Sequence, residues 1–266
     1  MHAKLEFPEV KKFLVIWPYQ RAPSQLIVSK MSTRSFLGIR KENLTTAVKV
    51  FKHCPTFVGL DENQLSEFAS AAKAHHFKKG DFIFHEGDPP NFFYVVQKGM
   101  VKTFKVSPSG KYIIIRIESF GDTLNASALF GERYFVSAQA IDEVSVLSIR
   151  RKEYLSLVSK YPLMAMNILT VVTKGLEGEY DRILGLAGET AEQRLCNVLI
   201  MLFSKFGTTV SLTREELANL AGTTRETSIR VLTRLKAAGI ISSSRGRIVI
   251  LNQDKLQALT GDHYRQ

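Results

Sequence analysis

Residues 211–251 read SLTREELANLAGTTRETSIRVLTRLKAAGIISSSRGRIVIL, and their pattern decides the architecture of the C-terminal part of the chain. Capping boxes mark helix starts, and two of them lie ten residues apart: Thr213 with Glu216, and Thr223 with Glu226. Each box opens a run with the apolar spacing of an amphipathic helix: Leu217, Leu220 and Ala221 in the first, and Val231, Leu232 and Leu235 in the second. The pattern predicts two short helices in succession.

The segments around these helices predict how they are connected. Gly222 lies between them, where a tight turn needs a positive φ or a close approach of two helices. Gly239 ends the second helix, and two predicted strands, Ile240–Ser242 and Ile248–Leu251, flank a Ser-Arg-Gly turn. This arrangement is typical of a winged helix-turn-helix, whose second helix fits the major groove of DNA.

The side chains of the second helix favour double-stranded DNA as the partner. Arg225, Glu226 and Arg230 share one broad face, and arginine can donate two hydrogen bonds to guanine while glutamate can accept one from cytosine. The alternative is a solvated amphipathic helix, but the combination of caps, turn and wing favours DNA. We assign the DNA contacts to eight residues: Thr213, Thr223, Thr224, Arg225, Glu226, Ile229, Arg230 and Arg245.

The segment AGTTRETSIRVLTRLKAAGIIS, residues 221–242, resembles the recognition helix and wing of the superfamily of cyclic-AMP receptor proteins and fumarate-and-nitrate-reduction regulators. The resemblance implies that Arg225, Glu226 and Arg230 read a TGTGA-type half-site of a pseudo-palindrome, and that the protein acts as a homodimer with RNA polymerase as a partner. The family usually has Gly or Ser where this chain has Ile229, so the half-site preference stays open.

The net charge of +11 is unevenly distributed: residues 1–57 carry +7, residues 58–188 carry none and residues 189–266 carry +4. A neutral centre between basic ends fits a sensor domain joined to a DNA-binding domain.

The chain has two cysteines, Cys54 and Cys196, and neither lies in a Cys-x-x-Cys pair, which argues against structural zinc, a disulfide framework or an iron–sulfur cluster. The longest apolar run near the start, FLVIW, is too short for a membrane span or signal sequence, so we expect a soluble, cytoplasmic protein with no membrane partner.

Residues 77–149 change to short strand-like runs with glycines mostly ten to twelve residues apart, which predicts an antiparallel jelly roll. The segment KKGDFIFHEGDPPNFFYVVQKGMVKTFKV, residues 78–106, resembles the cyclic-nucleotide-binding β-roll, and the family resemblance covers about residues 50–260. It implies an α+β fold with an N-terminal β-roll, a long dimerisation helix and a C-terminal winged helix-turn-helix.

The candidate effector pocket lies in GDTLNASALF and the residues that follow it. In cyclic-AMP receptors a Gly-Glu-Leu turn binds the ribose and an Arg-Ser pair binds the cyclic phosphate. The resemblance places Asn125 and Ala126 at the Gly and Glu positions, beside Ser127, and it places Tyr134 and Phe135 at the Arg-Ser positions, with Arg133 one residue away. Because the ribose carboxylate is missing, the sequence argues against cyclic AMP as the effector.

The identity of the effector therefore stays open. The aromatic residues Phe130, Tyr134 and Phe135 could line a pocket for a small apolar effector, close that pocket with their own side chains, or be ordinary core and cover residues. Haem bound by one of His75, His76 and His85 is a further alternative, although a lone histidine is more often simply a polar residue.

A helical run begins at Pro162 and carries a heptad pattern, with a and d positions at Ala165, Leu169, Val172, Leu176, Glu179, Ile183 and Leu186. The alternative is an internal helix packed on the roll, but a heptad beside a DNA-reading domain favours a two-fold dimer. We assign the dimer interface to Leu169, Val172, Leu176, Glu179 and Ile183. Gly185 and Gly188 precede a third capping box, Thr190 with Gln193, and could form a hinge.

The predicted domains are a basic extension unlike the family (1–40), an effector-sensing β-roll (41–160), a dimerisation helix (161–188) and the DNA-binding domain (189–266). The extension is either a DNA-contacting arm, or it is translated from a start site upstream of the native one, in which case Met31 would be the native first residue. We predict a dimeric transcription regulator controlled by an effector, and the alternative is a ligand-independent regulator whose roll is only a dimer platform. The sequence contains no nucleophile–base constellation, phosphate-binding loop or metal-ligand cluster that would indicate an enzyme.

Overall fold

The computed structural model describes residues 41–244 and 246–260. Two helices, α1 (Lys41–Lys52) and α2 (Glu62–Ala71), precede the β-structure and are separated by a 3-10 turn at Pro55–Phe57. A capping box starts α2, because the Asp61 carboxylate accepts a hydrogen bond from Gln64 N and the Gln64 side chain accepts one from Asp61 N.

Seven strands form the β-roll: β1 (Lys73–Phe77), β2 (Phe82–Phe84), β3 (Phe92–Lys98), β4 (Val101–Val106), β5 (Tyr112–Glu118), β6 (Ser137–Ala140) and β7 (Val144–Arg150). They lie in two antiparallel sheets with strand orders β1-β7-β3 and β2-β6-β4-β5. Strand β7 is buried on both faces, since Val144 and Val146 face the roll interior while Leu147 and Ile149 face the helices. The predicted antiparallel roll is confirmed.

Two further helices follow the roll, α3 (Arg151–Lys160) and the 27-residue α4 (Pro162–Gly188). Pro162 suits the first position of α4, where its missing N–H has no helical acceptor anyway. Within the described residues no single helix is long and apolar enough to span a membrane, and α3 with α4 meets that criterion only as a pair bent by 110°. A core between the helices and β3–β7 contains large aromatic side chains, including Phe51, Phe57, Phe68, Phe93 and Tyr154.

The C-terminal domain comprises α5 (Ala191–Phe206), β8 (Thr209–Val210), α6 (Arg214–Leu220), α7 (Arg225–Ala237), β9 (Ile241–Ser244), β10 (Arg247–Ile250) and α8 (Gln253–Gln257). The predicted capping box of Thr190 with Gln193 is confirmed at the start of α5. The small sheet has the order β8-β10-β9, so the predicted two-stranded wing gains a strand that the sequence pattern did not indicate.

The C-terminal domain packs directly on strand β5 of the roll. Arg182 on α4 donates hydrogen bonds to Ile115 O on β5 at 3.3 Å and to Leu220 O on α6 at 3.0 Å. Lys205 on α5 donates to Ile117 O at 2.8 Å and pairs with Asp122 at 2.6 Å. These contacts tie the roll, α4 and the helix-turn-helix together through backbone carbonyl groups of β5 and α6.

Candidate functional site

Helix α6 begins as the sequence predicts. The Thr213 hydroxyl accepts a hydrogen bond from Glu216 N at 3.1 Å, and a Glu216 carboxylate oxygen accepts from both Thr213 N and Thr213 Oγ1 at 2.8 Å. Such a cap contributes about 1 kcal/mol. The other Glu216 oxygen lies 3.6 Å from Lys102 Nζ on β4, so the start of α6 is also linked to the roll.

Helix α7 begins one residue later than predicted, and the expected capping box of Thr223 with Glu226 is wrong. Gly222 adopts φ +60°, and Thr223 N donates to Ala218 O at 2.9 Å, which makes Thr223 part of the turn. Thr224 is the N-cap, because its hydroxyl accepts from Thr227 N at 3.2 Å. Glu226 is consequently not used in capping, and its carboxylate is on the exposed surface.

The structure brings the predicted base-reading residues of α7 to one exposed face. Arg225, Glu226 and Arg230 are exposed, and Ile229 between them is half-buried. The opposite face is buried in the domain core through Ser228, Val231, Leu232 and Leu235. Thr227, which the sequence analysis did not single out, accepts a hydrogen bond from Arg230 Nη2 at 3.2 Å and thereby orients that guanidinium. The helix thus presents two arginines and one glutamate in a supported geometry.

The wing strands are displaced slightly from their predicted limits. Strand β9 runs to Ser244, two residues beyond the predicted end, and β10 begins at Arg247, one residue before the predicted start. Gly246 in this turn has φ +70°, which favours glycine. Arg245, predicted to contact DNA, lies outside the described residues.

At the candidate effector loop, side chains of the protein itself fill the interior of the roll. Tyr134, at the position where the family resemblance implies an arginine, is 4% exposed and stacks on Phe84 with ring centroids 3.8 Å apart. Its hydroxyl donates to Phe92 O at 2.8 Å, and burial raises the pKa of Tyr134 well above the usual value. Of the alternatives considered above, Tyr134 fits a roll closed by its own aromatic side chains.

The other predicted effector residues are divided between the interior and the surface. Ala126 is buried, whereas Arg133 and Phe135 are exposed, so the structure does not bury these residues together. Asn125 adopts a left-handed conformation with φ +48°, and its side-chain oxygen accepts from Ser127 Oγ at 3.3 Å.

Arg151, absent from the predicted set, stabilises the loop that carries these residues. It donates to Leu129 O and to Gly131 O, each at 2.9 Å. An arginine directly after a strand gives no sequence signal for this role, because both acceptors are backbone atoms twenty or more residues away.

Two of the candidate histidines, His75 and His85, have ordinary structural partners, and both cysteines are buried. His75 Nε2 lies 2.9 Å from Ser148 Oγ, and its pKa is lowered mainly by burial and then by nearby Lys73 and His76. The ring of His85 stacks on Phe82 at 4.2 Å. Both cysteine thiols are buried, and burial raises the pKa of Cys54 to about 11 and that of Cys196 to about 12. Within residues 41–244 and 246–260 no cluster of three or more His, Cys, Asp or Glu side chains could hold a metal ion.

Helix α4 exposes an apolar stripe along one face. Among the predicted interface residues, Leu169, Leu176 and Ile183 are 58%, 48% and 60% exposed. Glu179 differs from the prediction, because its carboxylate turns towards β5 and lies 3.8 Å from Arg116 Nε. The exposed neighbour in that turn is Tyr180, so the stripe is less polar than the heptad predicted. We call this surface, formed by Leu169, Val172, Leu176, Tyr180 and Ile183, the α4 stripe.

Comparisons with known proteins agree with this architecture. Residues 74–161 match the cyclic nucleotide-binding domain model, and residues 193–259 match the Crp-like helix-turn-helix domain model. The cyclic AMP receptor protein of Thermus thermophilus is 30% identical over 203 residues, which cover 75% of this chain and 93% of the relative. The transcriptional activator protein anr of Pseudomonas aeruginosa is 29% identical over 192 residues, which cover 69% of this chain and 79% of the relative.

Solved structures show the same fold. FixK2 from Bradyrhizobium japonicum superposes with a TM-score of 0.67 at 24% identity, covering 71% of this chain and 98% of that chain. A transcriptional regulator of the CRP/FNR family from Thermus thermophilus superposes with a TM-score of 0.56 at 27% identity, covering 70% of this chain and 97% of that one. With its β-roll, long α4 and winged helix-turn-helix, the chain belongs to the CRP/FNR family of transcription regulators.

Proposed function

We propose that the protein binds a pseudo-palindromic DNA site as a homodimer and regulates transcription under the control of a small effector. The observation that carries the DNA-reading part is the exposed group of Arg225, Glu226 and Arg230 on α7. An arginine at this place can donate two hydrogen bonds to a guanine edge, and a glutamate not engaged in capping can accept from a cytosine. The helix dipoles place partial positive charge at the N-termini of α6 and α7, which favours binding of nearby DNA phosphates.

The α4 stripe supports the homodimer. A run of exposed apolar side chains on a 27-residue helix is costly in water and is typical of a helix–helix interface. A two-fold axis along α4 would pair two α7 helices with two half-sites, which explains why such regulators read palindromes. As several relatives are named activators, we also propose RNA polymerase as a partner of the DNA-bound dimer.

Control by an effector would act through the contacts between the roll, α4 and the C-terminal domain. Arg182 and Lys205 hold the C-terminal domain on β5, and Gly185 and Gly188 lie where α4 ends. A ligand that favours one position of this domain shifts the population towards it. The second candidate function, a ligand-independent regulator, is supported by the side chain of Tyr134 inside the roll.

Binding to matched duplexes tests the readout. Arg230→Ala and Arg225→Ala should each weaken binding to a duplex with two TGTGA-type half-sites by about 1–3 kcal/mol and relax its sequence preference. Arg234→Ala is the matched control, since Arg234 lies on the same helix but pairs with Glu192 at 2.8 Å. Equal weakening on specific and random duplexes would show that Arg225 and Arg230 contact only phosphates.

A further inference from the structure

The hairpin formed by β4 and β5 ends in a turn, residues 107–111, that is closed by its own hydrogen bonds. Ser107 N donates to Lys111 O at 2.9 Å, Lys111 N donates to Ser107 Oγ at 3.0 Å, and Gly110 N donates to Ser107 O at 2.8 Å. Gly110 has φ +80°, a conformation that favours glycine. The backbone of Lys111 is therefore fixed, while its side chain is exposed.

This turn faces the helix-turn-helix across a groove. The groove has a volume of about 500 Å³, and the roll contributes Lys111 to its lining. Thr223, Thr224 and Arg225 at the start of α7 line the opposite wall, together with residues of α6. These three residues belong to the predicted DNA contacts, so Lys111 lies beside the surface proposed to bind DNA.

Contacts on both strands of the hairpin set its position relative to α6. Lys102 Nζ on β4 lies 3.6 Å from Glu216 at the start of α6. Arg182 donates to Ile115 O on β5 and also to Leu220 O at the end of α6. The packing of the strands on α6 consequently holds the turn next to the helix-turn-helix.

Lys111 differs from the other basic residues of the hairpin because it has no acidic partner. Its ammonium group makes no hydrogen bond or ion pair with the described residues, whereas the three other basic side chains of β4 and β5 lie 3.6, 3.0 and 3.8 Å from a carboxylate: Lys102, Lys105 and Arg116. Lys111 and Arg225 outnumber the one carboxylate that lines the groove, Glu215. A groove with net positive charge and an unpaired cation favours an anionic ligand.

We propose that Lys111 of the β-roll contacts a phosphate of the DNA backbone beside the bases that α7 reads, so that the roll itself takes part in DNA binding. This inference rests on the proposed function. A helix whose N-terminal residues read base edges in the major groove lies close to the phosphates that flank the groove. Lysine binds phosphate as a point charge, and a phosphate contact carries no sequence information.

The salt dependence of DNA binding tests this contact. Lys111→Gln removes the charge, Lys111→Arg keeps it, and Lys105→Gln is the matched control. The control removes the same charge from the same hairpin, but Lys105 pairs with Glu86 at 3.0 Å and does not line the groove. Affinities are measured between about 50 and 200 mM salt, on a duplex with two TGTGA-type half-sites and on a random duplex. The melting temperature of each variant, measured in parallel, shows that it is folded.

We expect Lys111→Gln to weaken binding to both duplexes by the same factor, about tenfold at low salt. The slope of log affinity against log salt should become less steep by about two, because a dimer loses one phosphate contact per subunit. Lys111→Arg and Lys105→Gln should keep a slope close to that of the wild type.

Replacement of single phosphates by neutral methylphosphonates locates the contact on the DNA. One position beside each half-site should weaken binding of the wild type but have no further effect on Lys111→Gln, because the charge pair is already lost in that variant.

An unchanged salt slope in Lys111→Gln, an equal change in Lys105→Gln, or the same methylphosphonate pattern in the wild type and Lys111→Gln would overturn the contact. Tighter binding by Lys111→Gln would also overturn it, since the hairpin would then obstruct DNA. In each of these cases the loss of sequence preference in Arg225→Ala still decides the proposed function. If the wild type binds neither duplex, the proposed function fails and the contact fails with it.

Discussion

The recognition helix and the effector loop of the roll both depart from the family pattern, with different consequences. On α7 the departure is Ile229, which is half-buried, while Arg225, Glu226 and Arg230 keep their exposed positions. In the roll, Tyr134 occupies the interior next to Phe84. Ala126 stands where the family resemblance places a carboxylate. From this comparison we propose that the chain reads DNA as its family does, and that the roll differs from the family in what it senses.

The largest expected effect concerns the α4 stripe, which in the proposed homodimer pairs the two α7 helices. Leu176→Lys places a charge in the proposed seam, where its desolvation is costly. The variant should sediment as a monomer, and its affinity for a duplex with two half-sites should fall about 10²–10⁴-fold because the half-sites are no longer bound together. Glu177→Lys, next to it on the exposed surface, is the control and should remain dimeric. A dimeric Leu176→Lys protein would remove α4 from the interface.

The closed interior of the roll can be tested by opening it. Tyr134→Ala removes the ring stacked on Phe84 and should lower the free energy of unfolding by about 3–5 kcal/mol in urea denaturation. Phe135→Ala, at the adjacent and 52% exposed position, should change it by less than about 0.5 kcal/mol. If the two variants are equally stable, the aromatic side chain of Tyr134 is not part of the core and the contrast with α7 disappears.

A buried carboxyl group on β5 should make the folding stability of the protein depend on pH. Glu118 accepts a hydrogen bond from Thr103 Oγ1 at 3.0 Å, and burial raises the pKa of Glu118 from 4.5 to about 7. Because the folded pKa lies above the unfolded one, ionisation opposes folding, and stability is lost as the pH rises from about 4.5 to about 7.

Glu118→Gln removes that ionisation. The unfolding free energy of the variant relative to the wild type should therefore increase by about 2–3 kcal/mol between pH 4.5 and pH 8, as measured by urea denaturation across this range. Parallel pH profiles for the two proteins would show that the pKa of Glu118 is not raised in the folded state.

The smallest effect distinguishes the two threonines at the start of α7. Thr224→Ala removes the cap that accepts from Thr227 N and should cost about 1 kcal/mol of stability. Thr223→Ala should cost less, since the hydrogen bond to Ala218 O uses the Thr223 backbone. Thermal melts of both variants provide the comparison, and a larger loss for Thr223→Ala would restore the capping box predicted from the sequence.

Local hydrogen bonding explains which sequence predictions succeeded. The capping boxes of Thr190 and Thr213 join residues three apart, so the pattern alone specifies them. The box at Thr223 failed because Gly222 extends the turn by one residue, and Thr224 is an equally good N-cap by type. When two adjacent residues of the same type could each be the N-cap, only the backbone conformation of the preceding turn shows which one it is.

The sequence by itself determined the antiparallel roll, the long helix after it, the winged helix-turn-helix and the family, because these depend on periodicity, caps and motifs within short segments. Only the tertiary structure decided that Tyr134 fills the roll, that Glu179 turns to Arg116 and that a cavity separates α4 from the C-terminal domain. These features join residues far apart in the chain, and their side-chain directions depend on packing between elements, which no local pattern encodes.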